Sequence, residues 1–155
     1  WTQRRPWEEL RADFEGWHQD ILTIIERADR NTCYRWALNV HPSLDRWSTE
    51  RATLLGDAAH PTLPYLAQGA AMAVEDAGVL TRCLQMSGSV HDALRRYERN
   101  RIERTSRIVR ESGENRALFH LPTIDALRAA FAKRNMDQER ANWLYSYNPL
   151  TVELP

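Results

Sequence analysis

One short segment, LLGDAAHPTLPYLAQGAAMAVEDAGVL at residues 54–80, constrains this chain more than any other feature. The apolar run RATLLGD, which ends in Gly56 and Asp57, is typical of a buried strand whose carboxyl end opens into a loop. Two prolines stiffen the loop, and a largely apolar, mostly buried helix is expected over residues 69–88. The sequence therefore predicts a strand, a Gly-Asp corner, a rigid loop and a helix, in that order.

The corner and the start of the helix together suit a ligand that has both hydroxyl groups and a planar ring. A carboxylate such as Asp57, at the edge of a strand, can accept hydrogen bonds from sugar-like hydroxyls. The first helical turn has backbone N–H groups without helical partners and the positive end of the helix dipole, which favour a ring that gains negative charge. Small residues at Gly69, Ala70 and Ala71 would let such a ring approach the backbone closely.

Outside this segment the pattern is mostly helical. Two amphipathic helices are expected before residue 30, and alternation over residues 33–40 predicts a strand with one buried face formed by Tyr34, Trp36, Leu38 and Val40. A long helix begins after Ser89 as N-cap and ends before Pro122, and another helix covers residues 123–134. The helical side chains expected to face inward are Leu10, Phe14, Trp17, Ile21, Leu22, Ile24, Ile25, Leu127, Ala130 and Phe131.

Composition excludes several classes of function. The formal net charge is zero and the pI is about 7.2, so no overall field attracts nucleic acid or an acidic membrane. No apolar run is long enough to span a bilayer. Cys33 and Cys83 lie far apart without metal-ligand spacing, which favours reduced thiols in a cytosolic protein. Glutamates interleave with the arginines of residues 92–116, and this pattern favours a solvated helix face over a nucleic-acid surface.

Residues 54–80 resemble the second flavin motif, the GD motif, of single-component FAD-dependent aromatic-ring hydroxylases. The form GDAAHPxLPxLAQGAAMAxEDA is similar to the branch that contains salicylate hydroxylase and 6-hydroxynicotinate hydroxylase. Similar stretches cover most of the chain, namely YRWAL, DRWS, RYERNR and WLYSYNP. The resemblance implies a flavoprotein monooxygenase that uses FAD, NAD(P)H and O2 to hydroxylate a hydroxybenzoate-like or hydroxy-heteroaromatic substrate.

The resemblance also implies roles for the corner and the loop. Gly56 and Asp57 would contribute to cofactor binding, with the Asp57 carboxylate on the ribityl hydroxyls of FAD. Pro64 would lie beside the reactive edge of the isoalloxazine, near the bound substrate.

The start of the helix would hold the isoalloxazine ring. The backbone N–H groups of Gly69, Ala70 and Ala71 would face flavin N1 and O2, where reduced flavin carries the negative charge that a helix N-terminus stabilises. Gln68 precedes these donors and is expected to help hold the turn. The family often has Gly at the position of Ala67 and Asn at that of Ala71, but neither role needs a side-chain donor.

The family's glycine-rich dinucleotide fingerprint, GxGxxG, and its internal Asp-Gly motif do not occur in these residues. Those elements bind the pyrophosphate and adenosine, which supply much of the affinity for FAD. On its own the chain is therefore expected to bind FAD weakly or not at all and to show no turnover. The alternative interpretation is a non-catalytic helical remnant or an oligomerisation module that lacks the dinucleotide-binding half.

Other residues that could carry chemistry have structural interpretations. His60 has no metal-ligand spacing except to Asp57, so a structural or capping role is expected. Glu75 and Asp76 could be paired carboxylates for acid–base work, but adjacent positions diverge around a helix, which favours capping or ion pairing. Tyr65 could equally line the substrate side of the loop or pack against the protein. The aromatic residues expected in the core are Trp36, Tyr145 and Tyr147.

The resemblance implies an α+β fold, mostly helical, that corresponds to the C-terminal part of the FAD-dependent aromatic hydroxylase fold. Residues 1–48 would end the substrate-binding domain, and residues 49–88 would carry the GD-motif part of the FAD-binding domain. Residues 89–155 would form a helical region that braces the domains and is a candidate surface for a homodimer. The implied partners are NAD(P)H and an aromatic small molecule in the cytoplasm, without metal, nucleic acid or membrane.

Overall fold

The computed structural model describes residues 2–133 and 138–155, most of which are helical. The elements in chain order are β1 (Thr2–Arg4), α1 (Trp7–Asp13), α2 (Gln19–Glu26), β2 (Tyr34–Trp36), α3 (Gly69–Met86), α4 (Val90–Phe119), α5 (Ile124–Lys133) and α6 (Gln138–Tyr145). The expected α+β class with dominant helix is confirmed. The chain divides into two compact units, Trp1–Leu38 and Asn39–Pro155, which are described separately. None of the helices in the described ranges is long and apolar enough to cross a membrane.

The first unit packs two short helices beside a two-stranded ribbon. Strands β1 and β2 are antiparallel, with Thr2 opposite Trp36. The buried indole of Trp7 donates a hydrogen bond to the Ile25 carbonyl at 3.1 Å, which joins α1 to α2. The guanidinium of Arg30 covers the other side of this contact, 4.2 Å from the indole centroid. The two predicted helices of this unit are therefore present and held by one buried tryptophan.

The predicted buried strand over residues 33–40 is wrong in its length and its burial. Only Tyr34–Trp36 pairs as a strand, and its side chains are exposed. The sheet has only two strands in the described residues, and the side chains of both strands are exposed, so no buried face forms. The side chains before residue 41 that were expected to be buried but are at least 49% exposed are Trp17, Ile24, Tyr34, Trp36, Leu38 and Val40, the last of which belongs to the second unit.

The second unit is built on the packing of α3 against α4. Its larger buried cluster consists of Trp47, Ala59, Val79, Cys83, Ala93, Tyr97 and Leu154. A second cluster consists of Met72, Ile108 and Leu144. Ser89 caps α4 as predicted, because its hydroxyl accepts a hydrogen bond from the Asp92 amide at 3.1 Å. The predicted helix over 123–134 forms as α5, and its last residue, Arg134, lies outside the described residues.

Two other predictions for this unit are wrong. The strand expected before Gly56 is reduced to a single bridge between Ser48 and Thr53, and Leu55 is 37% exposed. A buried strand belongs to a sheet whose faces are both covered, and within the described residues this segment has no more than the single bridge. Helix α3 is buried on one face only, so it is not mostly buried. The apolar side chains expected inside that are exposed are Val74, Leu84, Met86, Phe131 and Tyr145.

Two valines of α3 provide a matched test of this packing. Val79 is fully buried between α3 and α4, whereas Val74 is 70% exposed on the same helix. Val79→Ala should lower the free energy of unfolding by about 2 kcal/mol, because it removes two buried methyl groups and leaves a cavity. Val74→Ala gives the same gain in helix propensity and should cost nothing. Urea unfolding of both variants checks this, and equal losses would contradict the packing described.

Candidate functional site

The Gly-Asp corner is a single turn of 3-10 helix, Gly56–Ala58, that packs on α3. Gly56 has φ +60°, a backbone conformation that favours glycine, and a β-carbon there would lie only 3.3 Å from that of Ala73. The next residue, Asp57, is exposed, and its carboxylate makes no hydrogen bond or ion pair within the described residues. The turn therefore presents an unpaired carboxylate from a backbone that fits closely against the helix.

The start of α3 is an uncapped helix N-terminus. The amides of Gly69, Ala70 and Ala71 donate no hydrogen bond in the described part of the chain, and Ala70 and Ala71 are exposed. Four residues separate Gly69 from Ala73, which is about 6 Å along the axis, so the Gly-Asp turn lies close to these amides. The Gln68 carbonyl accepts the Met72 amide at 2.8 Å. The Gln68 side chain makes no capping hydrogen bond to the helix, and its role in holding the turn stays a prediction.

The proline loop forms a second turn of 3-10 helix, Pro64–Leu66, directly before this N-terminus. Pro64 is exposed, and its carbonyl accepts the Ala67 amide at 3.2 Å. Ala67 has φ +53°, the left-handed conformation, which costs a residue with a β-carbon about 1 kcal/mol. This cost explains why the family that the GD motif resembles often has glycine at this position. The ring of Tyr65 packs beside Phe119 at 6.0 Å and His120 at 5.8 Å, which favours the packing interpretation.

A fully buried carboxylate on α3, that of Asp76, holds the Gly-Asp corner in place. Its Oδ2 accepts the Gly56 amide at 3.0 Å and lies 2.6 Å from Nε2 of His60, so both ends of the turn converge on it. Its Oδ1 accepts Nε of Arg101 on α4 at 2.7 Å. One carboxylate thus joins the corner, α3 and α4.

A second ion pair lies one residue earlier on α3. Glu75 forms a bidentate pair with Arg104 at 2.7 and 2.9 Å and also contacts Arg101 at 2.8 Å. Arg104 donates further to the carbonyls of Trp143 and Leu144, which fixes the C-terminal segment against the helices. The expectation of ion pairing for Glu75 and Asp76 is confirmed.

The solvated-face interpretation of the arginine-rich helix is wrong for Arg101 and Arg104, which are 0% and 7% exposed. The charge of both side chains predicts exposure to solvent, and this prediction takes no account of their positions on the face of the helix. They continue the stripe of Tyr97 and Ile108 at spacings of four, three and four residues, which is the buried face of α4. The acidic pair on α3 lies opposite these two arginines and compensates the cost of burying their charge.

His60 has the structural role that was expected. It is 5% exposed, contacts Asp76, and its ring lies 5.4 Å from that of Trp47. Within residues 2–133 and 138–155, no three metal-ligating side chains are close enough to hold an ion. The histidine therefore stiffens the turn beside Asp57.

The ionisation of Asp76 makes this support sensitive to acid. Burial alone would raise the pKa of this carboxyl group, but the contacts with His60, Arg101 and Gly56 together lower it below its ordinary value. A pKa that is lower in the folded state stabilises the fold above the unfolded pKa. That contribution is lost as pH falls through the folded pKa.

Asp76→Asn should therefore destabilise the chain by about 3 kcal/mol or more, because Arg101 stays buried without its charge partner. Asp57→Asn, in the same segment but exposed, should change the free energy of unfolding by less than about 0.5 kcal/mol. Urea unfolding between about pH 6 and pH 3 should show a loss of stability toward acid that Asp76→Asn reduces. An unchanged pH profile in Asp76→Asn would show that this carboxylate is not the group responsible.

Comparison with known proteins identifies the family of this chain. The model of the FAD binding domain family matches residues 1–112. The chain is 40% identical to the 3-amino-4-hydroxybenzoate 2-monooxygenase of Streptomyces platensis over 98% of its own length and 39% of the relative's. It is 43% identical to the 6-hydroxynicotinate 3-monooxygenase of Bordetella bronchiseptica over 74% of its length and 31% of the relative's.

The chain is also similar in fold to a solved structure. A salicylate hydroxylase in complex with substrate superimposes with a TM-score of 0.73 and 26% identity, over 96% of this chain and 37% of that one. The chain thus spans less than two fifths of the length of each of these three proteins. The family match covers the corner, the loop and the start of α3, and the resemblance inferred from the GD motif is confirmed: the chain belongs to the FAD binding domain family.

Proposed function

We propose that this chain supplies the part of an FAD site that faces the isoalloxazine and the ribityl chain, in a monooxygenase that hydroxylates an aromatic acid with NAD(P)H and O2. The observation that carries the proposal is the row of unpartnered amides at Gly69, Ala70 and Ala71, next to the exposed carboxylate of Asp57. The 3-amino-4-hydroxybenzoate and 6-hydroxynicotinate monooxygenases among the relatives support an aromatic acid as substrate.

The described residues fit the cofactor in three respects. The amides of Gly69, Ala70 and Ala71 can donate to the pyrimidine edge of a flavin, where the helix dipole favours negative charge. Asp57 can accept from the ribityl hydroxyls, because none of its acceptor capacity is used within the described ranges. Gly56 leaves no side chain between this turn and α3.

In this proposal the flavin, when bound, supplies the electron transfer and oxygen chemistry, and the protein positions it. The α3 amides hold the ring and favour its reduced, anionic state. Pro64, exposed at the start of its turn, forms the wall beside the ring where the substrate lies. The Asp57 carboxylate fixes the polyol chain and thereby the position of the ring along α3.

The remaining parts of the proposal concern partners and location. NAD(P)H and the substrate would bind with residues of the assembled flavin site beyond this chain's own. Two free cysteines, Cys33 and Cys83, support a reducing compartment such as the cytoplasm. The exposed apolar side chains of the last helices, among them Phe119, Ile124 and Phe131, support a homodimer contact in this region.

The isolated chain should bind FAD weakly or not at all and should not oxidise NADH or NADPH. The reason is that the glycine-rich fingerprint, which contributes pyrophosphate and adenosine contacts, does not occur in these residues. Absorbance of the purified chain after gel filtration with FAD, and a nicotinamide oxidation assay, provide the measurement. Stoichiometric FAD on the isolated chain would contradict this expectation.

A complete site can be built by placing this chain in the Streptomyces platensis 3-amino-4-hydroxybenzoate 2-monooxygenase, in place of the segment that it matches over 98% of its length. The hybrid should retain FAD. Asp57→Ala should weaken FAD binding by roughly 10-fold to 100-fold, because hydrogen bonds to a charged group are lost. Asp45→Ala, which removes an exposed carboxylate outside the site, is the matched control and should leave the dissociation constant unchanged.

Fluorescence titration of the flavin gives both constants. A folded hybrid that retains no flavin would refute the proposed cofactor site and favour the non-catalytic helical module. A hybrid that binds FAD equally well with and without Asp57 would refute the role of this carboxylate.

A further inference from the structure

Two buried polar side chains of α4 hold the proline loop of the site. The Ser112 hydroxyl donates to the Leu63 carbonyl at 2.6 Å, and Nδ2 of Asn115 donates to the Tyr65 carbonyl at 3.0 Å. The two carbonyls belong to the residues on either side of Pro64. Ser112 is 0% exposed and Asn115 is 6% exposed, so both donor side chains are shielded from water.

The loop has few backbone hydrogen bonds of its own. Pro61 and Pro64 have no N–H group to donate, and the backbone hydrogen bond within residues 61–67 is that from Ala67 to the Pro64 carbonyl. Ala67 also adopts a left-handed conformation that disfavours the turn. Contacts from α4 are therefore needed to keep this turn in one position.

Ser112 and Asn115 use their polar groups differently from Thr105 of the same helix. Thr105, which is also fully buried, donates to the Arg101 carbonyl of its own helix at 3.0 Å, as helical Ser and Thr commonly do. The Ser112 hydroxyl turns to the loop instead. Because the atom of Asn115 that faces a carbonyl must be its nitrogen, its Oδ1 is left buried without a partner among the described residues. A buried acceptor without a partner lowers the free energy of unfolding, so the stability of the fold does not by itself explain an asparagine at position 115.

We propose that Ser112 and Asn115 are positioning residues that set where Pro64 lies relative to the amides of α3. The proposal rests on the proposed function, because the position of Pro64 matters when a flavin and a substrate lie beside it. A wall that shifts by about 1 Å misplaces the substrate and can cost about 100-fold in the productive reaction. The two residues touch neither substrate nor cofactor and act through the Leu63 and Tyr65 carbonyls.

The first test needs only the 155-residue chain. In the Ser112→Ala/Asn115→Leu variant, cleavage by subtilisin within residues 62–68 should be about 10-fold to 30-fold faster, because two hydrogen bonds that close the loop are lost. Thr105→Val is the matched control, since it removes a buried hydroxyl of α4 that does not contact the loop. Equal cleavage rates in the variant, the control and the original chain would overturn the proposal. The Ser112→Thr/Asn115→Leu variant, which keeps a hydroxyl at position 112, should be cleaved more slowly than the Ser112→Ala/Asn115→Leu variant.

The second test uses the flavin-loaded hybrid described above. The double variant should bind FAD within about threefold of the original hybrid, yet form roughly 10-fold less hydroxylated product per NAD(P)H consumed, since the ring site is intact and the substrate wall is displaced. The Thr105→Val hybrid should keep the original ratio. Loss of FAD binding together with product, or an equal loss in Thr105→Val, would indicate a merely structural role and overturn the proposal. A hybrid that retains no flavin refutes the proposed function, and the cleavage rates then still report separately whether α4 holds the loop.

Discussion

The Asp76 carboxylate has no access to solvent, and three residues from two other parts of the chain bind its two oxygens. The Gly56 amide and His60 fix the Gly-Asp corner to α3, and Arg101 fixes α3 to α4. Removing Arg101 would leave the Asp76 charge without its charge partner in a dry interior, which is far more costly than losing an exposed contact. The position of the turn that carries Asp57 therefore depends on a buried charge of α3.

The same arrangement separates support from contact. The groups that we propose to face the flavin, Asp57 and the first amides of α3, are exposed and unpartnered within the described residues. The groups that hold them are buried. Both oxygens of Asp76 accept hydrogen bonds, and Ser112 and Asn115 of α4 donate to carbonyls of the proline loop. A rigid second layer of this kind lets a binding surface keep unsatisfied donors without collapsing onto itself.

The GD motif could be predicted from the sequence because its turns and the start of its helix depend on residues that are adjacent in the chain. The turn at Gly56-Asp57 and the proline loop follow from the conformational preferences of the residues that form them. In the same way, Ser89 as an N-cap predicts the start of α4. The support was not readable in the same way, because charge on a residue such as Arg101 normally predicts solvent. Only the pairing of α3 with α4, a long-range property, shows which arginines have a buried acid opposite. The exposed Trp36 and Val74 likewise lie on faces that need another layer, which the described residues of each unit do not provide.

The most direct test of the central claim is a crystal structure of the flavin-loaded hybrid, with distances measured from the flavin to the start of α3 and to Asp57. We predict that the amides of Gly69, Ala70 and Ala71 face the N1 and O2 edge, with donor–acceptor distances of about 3 Å, and that Asp57 contacts the ribityl hydroxyls. A flavin bound with its ring away from these amides, or amides capped by a protein side chain in the complex, would contradict the account.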